Sequence, residues 1–271
     1  MVAPGPWDRP RGLASRSRRR LAANDDGYFD EPIAATYDDD ADMFAPEAVD
    51  PVVDFLIGNA GDGWALELGI GTGRIALPLV QRGVAVHGID VSTAMVARLQ
   101  AKLGAEGIGV TIGDFATTRV EGSFTVVYVV YNTINNLTTQ AAQVACFRNA
   151  AAHLEPGGRF AVEVGIPELR RLPPGENHHV FHRADNEWGI DEYDTVTQEF
   201  TSHHFSFHDG ELERFSVPFR YVWPAELDLM AQLAGMRLRE RWGGWKREPF
   251  TSESRMHVSV WEKPADQARQ M

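Results

Sequence analysis

At 271 residues, 44% hydrophobic and 24% charged, the chain is long enough for one large domain with a full core, or for a domain with an insertion. It has no run of roughly 18 apolar residues to suggest a membrane span, and its single cysteine, Cys146, excludes an intramolecular disulfide and a Cys-rich zinc site, which makes the cytoplasm the default compartment. The formal net charge of −12 is uneven: six Arg and one Asp in residues 1–23 leave −17 for the remainder, and so acidic a body is a poor partner for nucleic acid.

Residues 1–26 are rich in Pro, Gly, Ser and Arg, lack apolar periodicity, and read as a disordered basic tail. Without an apolar stretch they are no secretory signal. Residues 27–58 read as helices ahead of a sheet, with EAVDPVVDFLIGN placing its apolar residues on one face. Asp38, Asp39, Asp40 and Asp42 lack matching ligands at a spacing that suits a metal, and read as a solvated helix start.

Residues 64–90, WALELGIGTGRIALPLVQRGVAVHGID, combine strand, glycine turn, helix, second strand and acid. Trp64–Leu68 are mostly apolar, as in a parallel strand covered on both faces. Gly69, Gly71 and Gly73 permit positive φ and leave no Cβ between backbone and ligand. Arg74–Arg82 follow with helical spacing, and the Pro78 inside that run predicts a kink or an irregular first turn. Val84–Ile89 form the second strand, and Asp90 stands at its carboxyl end, about 20 residues after the glycines, where a ribose-binding acid belongs. A dinucleotide fingerprint would need its last glycine at position 74, which is Arg74.

The order E-x-G-x-G-x-G from Glu67 to Gly73 resembles the first motif of class I S-adenosylmethionine (SAM) dependent methyltransferases. The resemblance implies SAM as cofactor, with the loop of Glu67, Gly69, Gly71 and Gly73 around its methionine part and Asp90 on the ribose hydroxyls. Arg74, a cation at a helix start, needs a partner; a surface acid is preferred and the methionyl carboxylate is the other candidate. In antibiotic aminosugar N-methyltransferases, which this chain resembles, a Tyr-Asp pair in an N-terminal helical lid lies over SAM, which maps onto Tyr37, with Tyr28 a weaker candidate.

Ser92 caps the next predicted helix, on which Met95, Val96 and Leu99 share a face. The family places its adenine between residues equivalent to Val91 and Met95. Val110–Ile112 read as a third strand ending in Gly113, Asp114 and Phe115. This GDF is similar to the family's third motif, in which the acid and the next backbone N–H read the adenine edge.

Phe124–Val130 form a fourth buried strand that leads into YNTINNL, where the family lines the transferable methyl. Its departure from D/N-P-P-Y argues against a nucleobase or planar amide acceptor. Tyr131, Asn132, Asn135 and Asn136 supply polar groups there, and one asparagine is expected to be only a turn former or cap. Thr138 or Thr139 caps a helix that runs to Leu154, EPGGR makes the turn with Gly158 at positive φ, and Phe160–Val164 form the fifth strand, with Glu163 lacking an evident partner.

Residues 166–222 replace a short link with 57 residues that alternate polar and apolar and include Asp209-Gly210, a hairpin signal. They read as antiparallel strands forming a lid over an acceptor site. His178, His179, His182, His203, His204 and His208 fall here without regular metal-binding spacing, so no metal is assigned. His203, His204 or Tyr131 can serve as a base, while Asn132, Asn135, His182, Tyr193 and Trp223 are the candidate substrate contacts.

Pro224–Ala234 form a helix, and Met236–Trp242 with Met256–Trp261 make the final strands, joined by the aromatic link GGWKREPFTSES. The predicted architecture is a Rossmann-like seven-stranded α/β sheet, mostly parallel with an antiparallel last strand. Its parts are the tail 1–26, the helical lid 27–58, the SAM-binding core 59–165, the β insertion 166–222, the closing helix and hairpin 223–263, and a tail 264–271. The implied activity is methyl transfer from SAM to N or O of a small secondary metabolite in an enclosed site, without nucleic acid or membrane partners. Other SAM chemistry such as cyclisation, a SAM-sensing regulator, and a homodimer remain open alternatives.

Overall fold

The computed structural model describes residues 28–29, 31–208 and 211–265. Residues 1–27, 30, 209–210 and 266–271 lie outside the described residues, and with them the expected basic tail and the Asp209-Gly210 hairpin signal. The chain enters through α1 (Glu31–Thr36), a 3-10 turn at Tyr37–Asp39, α2 (Ala41–Phe44) and α3 (Pro46–Ala60). Strands and helices then alternate through β1 (Ala65–Leu68), α4 (Ala76–Gln81), β2 (Val86–Asp90), α5 (Thr93–Gln100), β3 (Gly109–Ile112), β4 (Phe124–Val129), α6 (Gln140–His153) and β5 (Leu154–Gly165). The insertion holds β6 (His178–Arg183), β7 (Glu187–Tyr193), β8 (Glu199–His208) and β9 (Glu211–Arg220), and the chain closes with α7 (Pro224–Leu233), β10 (Arg237–Trp242) and β11 (Met256–Glu262).

The seven core strands run in the order β10-β11-β5-β4-β1-β2-β3, and only β11 opposes its neighbours. Each core strand puts alternate residues on opposite faces. Leu66 and Leu68 join Val127, Val129, Phe160 and Trp261 beneath α6 and α7, while Ala65 and Val86 pack with Val53 and Leu56 of α3. Phe147 stands edge-on to Phe160 and Trp261 at 5.0 and 5.2 Å, adding about 0.5–1.5 kcal/mol per pair beyond burial. β1 runs parallel to both of its neighbours, and the strand order reverses there, with β2 and β3 added on one side of it and β4 and β5 on the other. Ligands of such sheets bind outside the strand ends at that switch point.

The insertion forms its own antiparallel sheet, β6-β7-β8-β9. A buried network pins it to the core: Arg220 at the end of β9 donates to Gln143 of α6 at 2.5 Å and to Glu226 of α7 at 2.7 Å. Gln198 and Gln140 also donate to Glu226, each at 2.8 Å. Burial pushes the Glu226 carboxyl up, but these donors and the Arg220 charge hold it below its ordinary range.

Several local expectations are corrected. The helix after the glycines starts at Ala76 rather than Arg74: Arg74 and Ile75 form an irregular first turn, the second outcome expected from Pro78, and Pro78 falls in the first helical turn, where no N–H partner is needed. Positive φ at the EPGGR turn belongs to Gly157 (φ 85), not Gly158, and the strand extends back to Leu154 around a bulge. Of the two threonines expected to cap α6, Thr139 does so, accepting from the N–H of Ala142 at 3.1 Å. Of the four clustered acids, Asp40 caps α2, but Asp38 is bound to the glycine turn rather than to solvent.

Candidate active site

Glycine turn and strand ends build a cleft of about 570 Å³. Its wall includes Gly69, Gly71, Asp90 and Val91 from the βαβ unit, Met95 from α5, and Asp114 with Phe115 after β3. Tyr37 and Tyr28, expected in the lid, line it as well. Gly69 adopts φ 81, and a Cβ there would lie 2.5 Å from the Thr133 methyl, so only glycine lets the turn pass. Asp90 Oδ2 accepts from Gly71 N–H at 2.7 Å and Oδ1 from Ser92 N–H at 2.8 Å, which fixes the carboxylate at the cleft floor. Ala116 N–H donates to Asp114 Oδ1 at 2.8 Å and orients the second acid. Bare glycine backbone, one fixed acid at each of two strand ends, and the apolar Val91 and Met95 match the needs of a nucleoside with a short amino-acid tail.

Glu67 and Gly73 lie outside this lining. Gly73 faces Leu99, whose Cδ1 a Cβ would approach to 2.3 Å. Glu67, 3% exposed, accepts from the Tyr128 hydroxyl at 2.9 Å beneath the turn; burial pushes its carboxyl up to about 8 against the pull of Tyr128 and Arg74. Burial likewise raises the Tyr37 phenol, with Arg74 opposing. Arg74 donates to Met43 O at 3.3 Å and lies 4.7 Å over the Tyr131 ring. Among the described residues it has no ion pair, which overturns the preference for a surface acid as its partner.

A second chamber, about 130 Å³, opens beside the cleft and shares Tyr28, Phe29, Tyr37, Thr133, Asn136 and Val217 with it. Tyr131, Asn132, Asn135 and His204 line this chamber, so Tyr131 stands on the second compartment rather than in the cleft lining. Asn135 is 7% exposed and its Oδ1 has no hydrogen-bond partner among the described residues. Phe200 of β8 and Phe215, Val217 and Phe219 of β9 form the opposite wall.

Besides Glu67 and Gly73, four residues expected on the acceptor side are not brought to either compartment. His203 faces away from His204 on β8, within 2.8 Å of Ser216 Oγ and 3.4 Å of Glu192. His182 approaches Glu187 at 3.9 Å, Tyr193 stacks on Phe200 with ring centroids 5.3 Å apart, and Trp223 is 39% exposed at the start of α7. The alternation of Phe215, Val217 and Phe219 was a readable sign of a buried strand face; Phe29 and Thr133 carried no local signal.

Sheet order, glycine turn and paired acids define the class, and the chain belongs to the class I SAM-dependent methyltransferases, with SAM as its methyl donor. A family model described as a methyltransferase domain matches residues 65–158. The chain is similar to the CcbJ methyltransferase of Streptomyces caelestis, at 33% identity over 89% of this chain and 100% of that one, with a TM-score of 0.77. It is also similar to the cypemycin N-terminal methyltransferase of a Streptomyces species, 27% identical over 249 residues, 89% of this chain and 99% of that protein. CalS10, an amino pentose methyltransferase from Micromonospora echinaspora solved with SAM bound, shares the fold at 20% identity, covering 91% of this chain and 100% of its own, with a TM-score of 0.62.

Proposed function

We propose that the protein methylates a nitrogen or oxygen of a small secondary metabolite whose reacting end enters the second chamber. The observation that carries this reading is the joint between the compartments: an aromatic chamber beside the cofactor cleft, bordered by the buried amide oxygen of Asn135 that lacks a partner among the described residues. Buried polar atoms are nearly always hydrogen-bonded, so such an oxygen is suited to receive an N–H or O–H from a ligand.

SAM supplies a methyl already activated by its sulfonium. In the proposed assignment Asp90 accepts from the ribose hydroxyls, Val91 and Met95 flank the adenine, and Asp114 with the Phe115 N–H reads its edge. Tyr37 covers the cleft, and Arg74 meets the methionyl carboxylate. Glu67 and Gly73 support the turn from beneath. Asn132 and Asn135 orient the acceptor, and His204 or Tyr131 takes the proton that the nucleophile sheds. Orientation and water exclusion are the protein's main contributions, since the donor needs no further activation.

A peptide N-terminus is the second reading, favoured by the similarity to the cypemycin enzyme along almost its whole length. The chamber needs to hold only the reacting amine. The test is calorimetric binding of SAM and S-adenosylhomocysteine to the wild type and Asp90→Ala. It is followed by release of S-adenosylhomocysteine with a panel of amino sugars, hydroxylated metabolites and short peptides with free N-termini. No SAM binding, or binding unchanged by Asp90→Ala, rejects the site. Tight binding with no acceptor-dependent release favours SAM sensing, and SAM consumption without a methylated product favours other chemistry.

A further inference from the structure

Glu163 sits in the middle of β5, between β4 and β11, and is 5% exposed. An apolar side chain suits such a position, because a buried carboxylate gives up its hydration. Both of its oxygens are engaged: Oε2 accepts from the backbone N–H of Tyr131 at 2.7 Å, and Oε1 from the indole N–H of Trp245 at 2.8 Å.

The first of these bonds falls on a strained turn. Tyr131 and Asn132 are consecutive left-handed residues, at φ 57 and φ 60. Asparagine tolerates this conformation, whereas tyrosine holds it only where its surroundings impose it. The imposition comes twice from β5, through Glu163 and through Gly165, whose N–H donates to Asn132 Oδ1 at 2.6 Å. Both residues of the turn line the second chamber. Trp245 lines neither compartment; it stands edge-on to Phe55 at 5.3 Å, in the link between β10 and β11.

We infer that Glu163 is a positioning residue for the acceptor chamber: it latches the Tyr131–Asn132 turn that forms the chamber wall, and Trp245 holds the carboxylate from behind. The inference rests on the chamber being the acceptor site. The link after β10 thereby belongs to the machinery without touching a ligand. The latch needs a carboxylate because two N–H donors converge on it. A glutamine offers one carbonyl oxygen and sets its NH2 against the other donor.

That difference supplies the test. Backbone amide exchange of Tyr131 is followed by NMR in the wild type, Glu163→Gln, Trp245→Phe and the double variant, with S-adenosylhomocysteine affinity measured by calorimetry in each. Glu163→Gln is expected to lower protection of the Tyr131 amide by about tenfold. Trp245→Phe alone leaves it within about twofold, and the double variant recovers, since removing the indole N–H frees the glutamine oxygen for Tyr131. S-adenosylhomocysteine affinity stays within about threefold throughout. With the acceptor panel, Glu163→Gln raises the acceptor KM while the SAM KM is unchanged. Unchanged Tyr131 protection in Glu163→Gln, a double variant no better than the single one, or equal rises in both KM values would overturn the inference. Failure of the wild type to use any acceptor would count against the proposed function, while the exchange measurement would still decide the latch.

Discussion

Asp38 accepts a hydrogen bond from the Thr72 hydroxyl at 2.6 Å, across 34 residues of sequence. Its other oxygen pairs with Lys102 Nζ at 2.5 Å, and Lys102 also donates to Thr72 O at 2.7 Å. The N-terminal helical segment is thus tied to the glycine turn and to the segment after α5 at one point. Asp38→Ala should weaken S-adenosylhomocysteine binding by about tenfold, a loss of roughly 1.4 kcal/mol, without lowering the melting temperature by more than a few degrees. Asp38→Asn, which still accepts from Thr72, should lose less because the ion pair is partly exposed. Calorimetry that finds both variants equal to wild type would show that ligand binding does not need this tie.

Arg74 has no ion pair among the described residues, and it lies over the Tyr131 ring behind the residues that line the cleft. If it meets the methionyl carboxylate, Arg74→Met should weaken S-adenosylhomocysteine by about ten- to a hundredfold. The same change should leave 5′-methylthioadenosine, which lacks the amino-acid tail, within about twofold. Equal losses for the two ligands would mean that Arg74 supports the turn instead.

The cleft at the strand ends was legible because much of its wall is close in sequence: Gly69 to Asp90 belong to a single βαβ unit, and the Gly71 to Asp90 bond falls inside it. The contacts of Asp38 with Thr72, Arg220 with Glu226, and Glu163 with Trp245 depend on how separate elements dock, which no local spacing reveals. The strand character of residues 166–222 was readable from their alternation, but not its phase. A shift of one residue exchanges the two faces of a strand.

His203 and His204 illustrate that phase. His204 lines the chamber with its Nε2 at 3.3 Å from Ser202 Oγ, whereas His203 is held on the other face by Ser216 and Arg214. His204→Ala should lower kcat/KM with the acceptor by about a hundredfold or more if it takes the proton, the lower end of the usual scale for a general base. His203→Ala should leave it within about twofold. Steady-state rates in which His203→Ala is the more damaging would reverse the assignment.

Arg220, 4% exposed, is the centre of the joint between insertion and core. Arg220→Met would leave Gln143 and Glu226 without their cation, and removing one partner of a buried pair costs about 3–5 kcal/mol. Urea denaturation should register that loss. Glu226→Gln should cost less, since its amide oxygen still accepts from Arg220. A change below about 1 kcal/mol for Arg220→Met would show that apolar contacts alone hold the insertion in place.

Glu67 gives the apo protein a distinctive pH dependence. Burial raises its folded carboxyl to about 8, so between the ordinary carboxylate range and that value the folded state binds the proton more tightly than the unfolded one. Stability therefore falls as pH rises through this window. Buried His257 acts in the opposite sense: its folded value is depressed from 6.5 to about 3, and stability is lost as pH falls between these values. The two slopes oppose one another below pH 6.5, and only the Glu67 slope persists from there to about 8. Over that interval the contribution is about 2 kcal/mol, at roughly 1.4 kcal/mol per unit. Glu67→Gln keeps an oxygen to accept from Tyr128 and removes the charge, so its stability should stay level where the wild type declines. Denaturation curves at pH 6.5 and pH 8 that decline in parallel for the two proteins would assign the slope to another group.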